Sequence, residues 1–155
     1  MNSVIKQHLY NETGISAIIN SAFSFGITYL LLGANEVVLR QELVIDALPQ
    51  SFAVTLFGVF IPTLLTRKKI RAGKLATLPF RKIALPANAF FRAVLMGILA
   101  AIFGGLLHLV IFFGLQIEAL GIATVFVYKT LYGAALSMVV TPIALLLVLQ
   151  ETESL

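Results

Sequence analysis

The chain has 155 residues, of which 59% are hydrophobic and 12% charged, and its formal net charge is +4. Soluble domains carry about 25% charged residues, so eleven basic and seven acidic side chains are too few to cover the apolar surface of a soluble fold of this length. The positive charge sits mostly between apolar runs rather than on a binding face, which excludes nucleic acid as a partner, and the lack of cysteine excludes disulfides, thiolate catalysis and Cys-ligated metal.

Four apolar runs occupy 15–34, 47–66, 89–115 and 121–149. Each can cross the hydrocarbon core of a bilayer, which takes about 20 residues at 1.5 Å rise per residue. We therefore expect one integral membrane domain over 1–155: an all-α membrane protein with four transmembrane helices. The first run is longer than the apolar core of a signal peptide, and Leu32 is a poor −3 residue before the cleavage-like Gly33-Ala34, so it reads as a retained helix. Asn11-Glu12-Thr13 fits a glycosylation sequon, but falls on the side expected to be cytoplasmic. Ser16, Asn20, Ser24 and Thr28 recur every four residues and so share one helical face. Asn20 is expected to bond across to a neighbouring helix.

A short outer loop follows, carrying Glu36, Arg40, Glu42 and Asp46. The second run places Ser51, Thr55, Gly58 and Pro62 on one line, with Asp46 and Gln50 on a neighbouring one. Then comes a basic loop at 67–88. Arg67, Lys68, Lys69, Arg71, Lys74, Arg81 and Lys82, together with Arg92, are eight of the eleven basic residues. No acid interrupts them. By the positive-inside rule this loop is cytoplasmic, and with four spans both termini are cytoplasmic too. Arg67, Lys68, Lys69, Arg71 and Lys74 are the candidate contacts to anionic lipid. Lys68, Arg71, Lys74 and Leu75 are patterned for a short interfacial helix after Thr66, held by snorkelling side chains. Pro79 and Pro86 disfavour helix just before them.

Arg92 marks the inner boundary of the third run, where Ala93, Gly97, Ala101, Gly104, Gly105 and His108 line one face. Helices in lipid pack through small residues, so Gly97, Ala101, Gly104 and Gly105 form a candidate helix-contact face. After Gln116 and Glu118, the fourth run carries Lys129, Gly133, Ser137 and Thr141. The contexts of Pro62 and Pro142 are similar at an offset of 80, and each half reads as helix, acidic turn and Pro-broken helix. This pattern predicts two tandem helical hairpins related by an axis along the membrane normal. Each proline removes an intrahelical hydrogen bond, and Thr63 and Thr141 stand beside the two prolines as donors for the freed carbonyls.

His108 and Lys129 lie at similar depth in consecutive antiparallel spans. A charge near mid-membrane costs roughly 2.5–3.5 kcal/mol, so Lys129 needs an explanation. Three readings are open: an anchor snorkelling to the outer headgroups beside Tyr128 and Tyr132, an ion pair with an outer acid, or a functional site. Asp46, Gln50, His108 and Lys129 are the candidate polar site near the outer face.

No HExxH, GxSxG or Walker loop occurs, and Gly73-Lys74 lacks the rest of a phosphate loop. We expect no enzyme, no cofactor and no metal, since His8 and His108 fall on opposite sides of the membrane. The chain reads as a small polytopic protein of a bacterial inner membrane, a permease or channel-like protein of unknown substrate. The alternative is a non-catalytic interaction protein, an immunity or assembly factor that binds another membrane protein through the glycine face. Expected partners are the lipid bilayer and either a second copy or another membrane protein.

Overall fold

The computed structural model describes residues 3–79 and 85–151; Arg81 and Lys82 of the basic run lie outside them. Its elements are α1 (Ser3–Leu32), β1 (Val37–Leu39), α2 (Arg40–Arg71), α3 (Ala89–Gly114), β2 (Ala119–Gly121) and α4 (Ile122–Leu149). All four helices are long and apolar enough to cross a membrane. Apart from the ribbon of β1 and β2, the fold is helical.

The helices begin and end on local signals. Asn88 caps α3, its side-chain oxygen accepting from the backbone N–H of Phe90 and Phe91 at 2.9 and 3.2 Å. The Glu42 carboxylate accepts from the Leu39 N–H at 2.9 Å at the start of α2. α2 ends in a Schellman turn: Gly73 takes a φ of 68°, its N–H bonds Ile70 O, and the Lys74 N–H bonds Lys69 O. α3 ends the same way with Gln116 at φ 54°, the Ile117 N–H reaching Phe112 O.

Two helices are longer than the apolar runs they contain. α1 starts at Ser3 rather than 15, because His8 and Glu12 find partners on α2 instead of staying in water. α2 starts at Arg40 rather than 47 and runs through to Arg71. The expected interfacial helix over Lys68, Arg71, Lys74 and Leu75 does not form separately. α2 simply continues, and beyond its Schellman turn Leu75 folds back to pack with Ile5, Leu9, Leu145 and Leu149.

The short loops at the other end hold β1 and β2, which pair antiparallel with Val38 opposite Leu120. The ladder extends by two further bonds, Arg40 N–H to Glu118 O at 2.8 Å and Ile122 N–H to Glu36 O at 3.0 Å. Val38 is buried there with Leu32, Leu43, Phe112 and Val125.

α2 packs most extensively on α3, and α1 on α4. α2 against α4 joins the two pairs, while α1 touches α2 more lightly. The glycine face of α3 is what lets α2 approach. A Cβ at Gly97 would stand 2.9 Å from the Phe52 ring, one at Gly105 2.6 Å from a Leu48 methyl, and one at Gly104 would collide with Ser51. Ala101 is half-buried at the edge of this face. The outward side of α3, including Ile98, Ile102, Phe103, Leu106 and Val110, is exposed. Such an apolar belt suits lipid and not water.

Candidate functional site

The polar residues of α1 and α4 turn inward and meet. The Ser16 hydroxyl lies 2.9 Å from both Ser137 Oγ and Thr141 Oγ1. Asn20 Nδ2 donates to Ser137 Oγ at 3.0 Å and to Ser16 Oγ at 3.2 Å. Thr141 Oγ1 in turn donates to Gly58 O at 3.2 Å. Gly58 is four residues before Pro62, so its carbonyl is the one that proline leaves without a helical N–H. Thr141 therefore serves the proline of the neighbouring helix, not Pro142 beside it. Thr63 does not serve either: its buried hydroxyl has no hydrogen-bond partner among the described residues. Beside this cluster lies a cavity of about 70 Å³ whose wall is mostly apolar, with Ile15, Ile19, Phe57, Ile61 and Leu65 around Ser16 and Asn20.

Toward the ribbon end the seam reaches its charges. Lys129 Nζ lies 2.9 Å from Asp46 Oδ2, with the lysine side chain 0% and the aspartate 7% exposed. The same ammonium donates to Leu43 O at 3.3 Å. Lys129 is thus turned into the bundle, which is not the geometry of a snorkelling anchor. Gln50, one turn beyond Asp46, donates through Nε2 to Lys129 O at 3.0 Å. His108 is fully buried. Its Nδ1 lies 2.7 Å from Gly104 O; a carbonyl only accepts, so Nδ1 carries the proton and Nε2 a lone pair. The ring meets Tyr132 edge-on at 4.5 Å and Tyr128 at 5.4 Å. Ser51 spends its hydrogen on Ala47 O at 2.6 Å, so the Tyr132 hydroxyl donates to Ser51 Oγ at 2.6 Å.

This assignment of protons leaves acceptors over. Asp46 Oδ1, Gln50 Oε1 and His108 Nε2 are buried without a hydrogen-bond donor among the described residues. Buried polar groups are normally satisfied, so these three acceptors beside one ion pair stand out. Further along the seam the Ser24 and Thr55 hydroxyls also lack partners.

At the end opposite the ribbon the charges are sorted into two clusters. Lys69 Nζ pairs with Glu12 at 2.7 Å and lies 3.4 Å from His8 Nδ1, while His8 Nε2 meets Thr66 Oγ1 at 2.9 Å. In the second cluster Glu151 takes Arg67 at 2.8 Å and also Arg92. Arg92 bonds Pro86 O at 2.8 Å as well. The reading of Arg92 as a mere boundary marker is corrected: it is 1% exposed, because a carboxylate from the far end of the chain and a loop carbonyl enclose it. Nothing in the local sequence around Arg92 points to residue 151.

The structure thus joins Asp46, Gln50 and Lys129 by direct contacts, with His108 packed against Tyr128 and Tyr132 of the helix that carries Lys129. The basic set is dispersed: Arg67 and Lys69 are tied within the protein, while Lys68, Arg71 and Lys74 have no side-chain partner among the described residues. Gly97, Gly104 and Gly105 are occupied by α2 of the same chain, so the surface on which the interaction-protein alternative relied is not free. Compared with known protein families, with characterised proteins and with solved structures, the chain matches none.

Proposed function

We propose that this chain is a small membrane permease whose path is the polar seam between α1, α2 and α4, and whose selective site is the Asp46–Lys129 pair with Gln50 and His108. The observation that carries this reading is the set of three idle acceptors, Asp46 Oδ1, Gln50 Oε1 and His108 Nε2, beside a buried ion pair. Ionisable residues inside a span are costly and mark pathways by default. A site of acceptors next to a neutralised charge suits a small solute rich in hydrogen-bond donors, such as ammonium, methylammonium or urea. The Ser16, Asn20, Ser137 and Thr141 cluster continues the polar lining toward the other face. The test is flux into liposomes that contain the purified protein and nothing else. Stopped-flow swelling and an entrapped pH dye report uptake of those three solutes, and rates equal to protein-free liposomes for all of them would end the proposal.

In this reading the basic end faces the cytoplasm of a bacterial cell and the ribbon faces outward. A cysteine placed at Glu36 should react with a membrane-impermeant thiol reagent on intact cells, and one at Ala76 should not. The reverse pattern would overturn the orientation.

The two hairpins are read as copies of one unit, and the pairings support this. An offset of 82 (Glu36 to Glu118) exchanges the two outer ladder bonds, Arg40–Glu118 and Ile122–Glu36. With 82 for α2 against α4 (Lys69 to Glu151) and 80 for α1 against α3 (Glu12 to Arg92), the ion pair Glu12–Lys69 corresponds to Arg92–Glu151 with charges reversed. The close contact of Ser24 with Gly133 likewise corresponds to Gly104 with Ser51. Pro62 and Pro142 are 80 apart on helices related by 82, so they are not equivalent positions. The copy relationship makes its own prediction. Glu12→Arg should destabilise alone by setting like charges together, and adding Lys69→Glu should restore the thermal midpoint, because it rebuilds the pair of the other half. A double variant no better than the single one would count against equivalence.

A further inference from the structure

The basic end holds a recess that the permease reading does not use. It has a volume of about 550 Å³ and is lined by Gln7, His8 and Asn11 of α1, by Lys69 of α2, and by Lys74 and Leu75 beyond it. That volume is in the range of ligand pockets, roughly 300–1,000 Å³. Its construction is specific. The left-handed Gly73 reverses the chain at the end of α2, which carries Lys74 to the recess while Leu75 plugs into the core beneath.

The chemistry of the lining has one sign. Among the described residues no carboxylate lines the recess, and Glu12, beside it on α1, is paired with Lys69 at 2.7 Å. His8 uses both ring nitrogens, receiving from Lys69 and donating to Thr66. Gln7 Nε2 donates to Asn11 Oδ1 at 2.9 Å, which leaves the Asn11 amide hydrogens available. Lys74 has no side-chain partner among the described residues. The recess therefore offers one unpaired ammonium, one remaining hydrogen on a second, and an amide donor. It stands at the end of four membrane-length helices, where headgroups lie, with apolar Val4 and Leu75 in its wall.

We propose that this recess binds the phosphate of an anionic phospholipid, with Lys74 as its principal cation and Asn11 and Lys69 as hydrogen-bond donors. The position among apolar wall residues at headgroup level favours a lipid over a free phosphate. A lysine near an anionic surface contributes about 1 kcal/mol, which is about fivefold in affinity.

The test uses the full-length protein in detergent, titrated with phosphatidylglycerol or phosphatidylcholine and followed by native mass spectrometry. Lys74→Gln is compared with Lys68→Gln, an unpaired cation at the same helix end but outside the recess. Wild type should retain phosphatidylglycerol in preference to phosphatidylcholine. Lys74→Gln should cut that preference about fivefold, and Lys68→Gln should leave it unchanged. Millimolar inorganic phosphate should not displace the lipid. Equal losses in both variants would mean diffuse attraction and no site. Displacement by inorganic phosphate would assign the recess to a free anion, and the absence of any lipid preference would remove the proposal. Each of these results is independent of the flux through the seam.

Discussion

Lys129→Leu is expected to lower stability by about 3–5 kcal/mol, because it leaves Asp46 as a lone charge within the bundle. The two groups are 2.9 Å apart and nearly inaccessible, and the Leu43 carbonyl that also receives the ammonium cannot neutralise a carboxylate. Asp46→Leu should cost about as much, now stranding the lysine. The double change to leucine removes both charges and should recover most of the loss, since buried pairs are often replaced by apolar residues at little cost. A thermal melt of the four proteins in detergent reads the cycle. Additive losses would mean that the two side chains do not depend on each other.

The second large effect is expected at the glycines between helices. A side chain at Gly133 would collide with Ser24 and stand 3.1 Å from the backbone oxygen of Asn20. A hydroxyl can rotate away, but a helix backbone cannot. Gly133→Leu should therefore separate α1 from α4 and remove most folded protein from a size-exclusion profile. Gly97→Leu should do the same between α3 and α2, where the Phe52 ring stands at 2.9 Å and the Phe52 backbone oxygen at 3.3 Å. Gly26 has open space around it, so Gly26→Ala should be neutral or stabilise by up to about 1 kcal/mol through helix propensity. Equal tolerance at Gly26, Gly97 and Gly133 would mean that the helices do not meet through these faces.

Much of this molecule was legible in its sequence, and the rest was hidden for identifiable reasons. Hydropathy located the four long helices, because a span must bury its backbone in apolar surroundings for about 20 residues. It did not locate the true starts of α1 and α2. His8 and Glu12 look like solvent residues until Thr66 and Lys69 are brought beside them. The ribbon was missed because a three-residue strand has too few positions to display alternation. Spacing placed His108 and Lys129 at one depth and left the lysine's state open among an anchor, an ion pair and a functional site; packing of α2 against α4 sets it 2.9 Å from Asp46. Thr141 was credited to its sequence neighbour Pro142, since a linear reading cannot say that the carbonyl within reach belongs to Gly58. The correspondence of the halves was blurred by two extra residues between α3 and the ribbon: Ser24 to Glu36 spans twelve positions, Gly104 to Glu118 fourteen. A single offset of 80 cannot follow both the outer and the inner helices.

The charge arrangement also separates two roles that the sequence ran together. Arg67, Lys69 and Arg92 belong to the basic run, yet each is held by Glu12 or Glu151. They brace the ends of helices. Lys68, Arg71 and Lys74 have no side-chain partner among the described residues. The basic run is thus partly structural here.

The most direct test of the functional reading is flux through the double variant Asp46→Asn, Lys129→Gln in liposomes. It keeps the size of both side chains and strands no charge, so it should melt within a few degrees of wild type. If the pair and its idle acceptors select the solute, uptake of ammonium, methylammonium or urea, whichever the wild-type protein carries, should fall to the rate of protein-free liposomes. A folded double variant that conducts as fast as wild type would contradict the account.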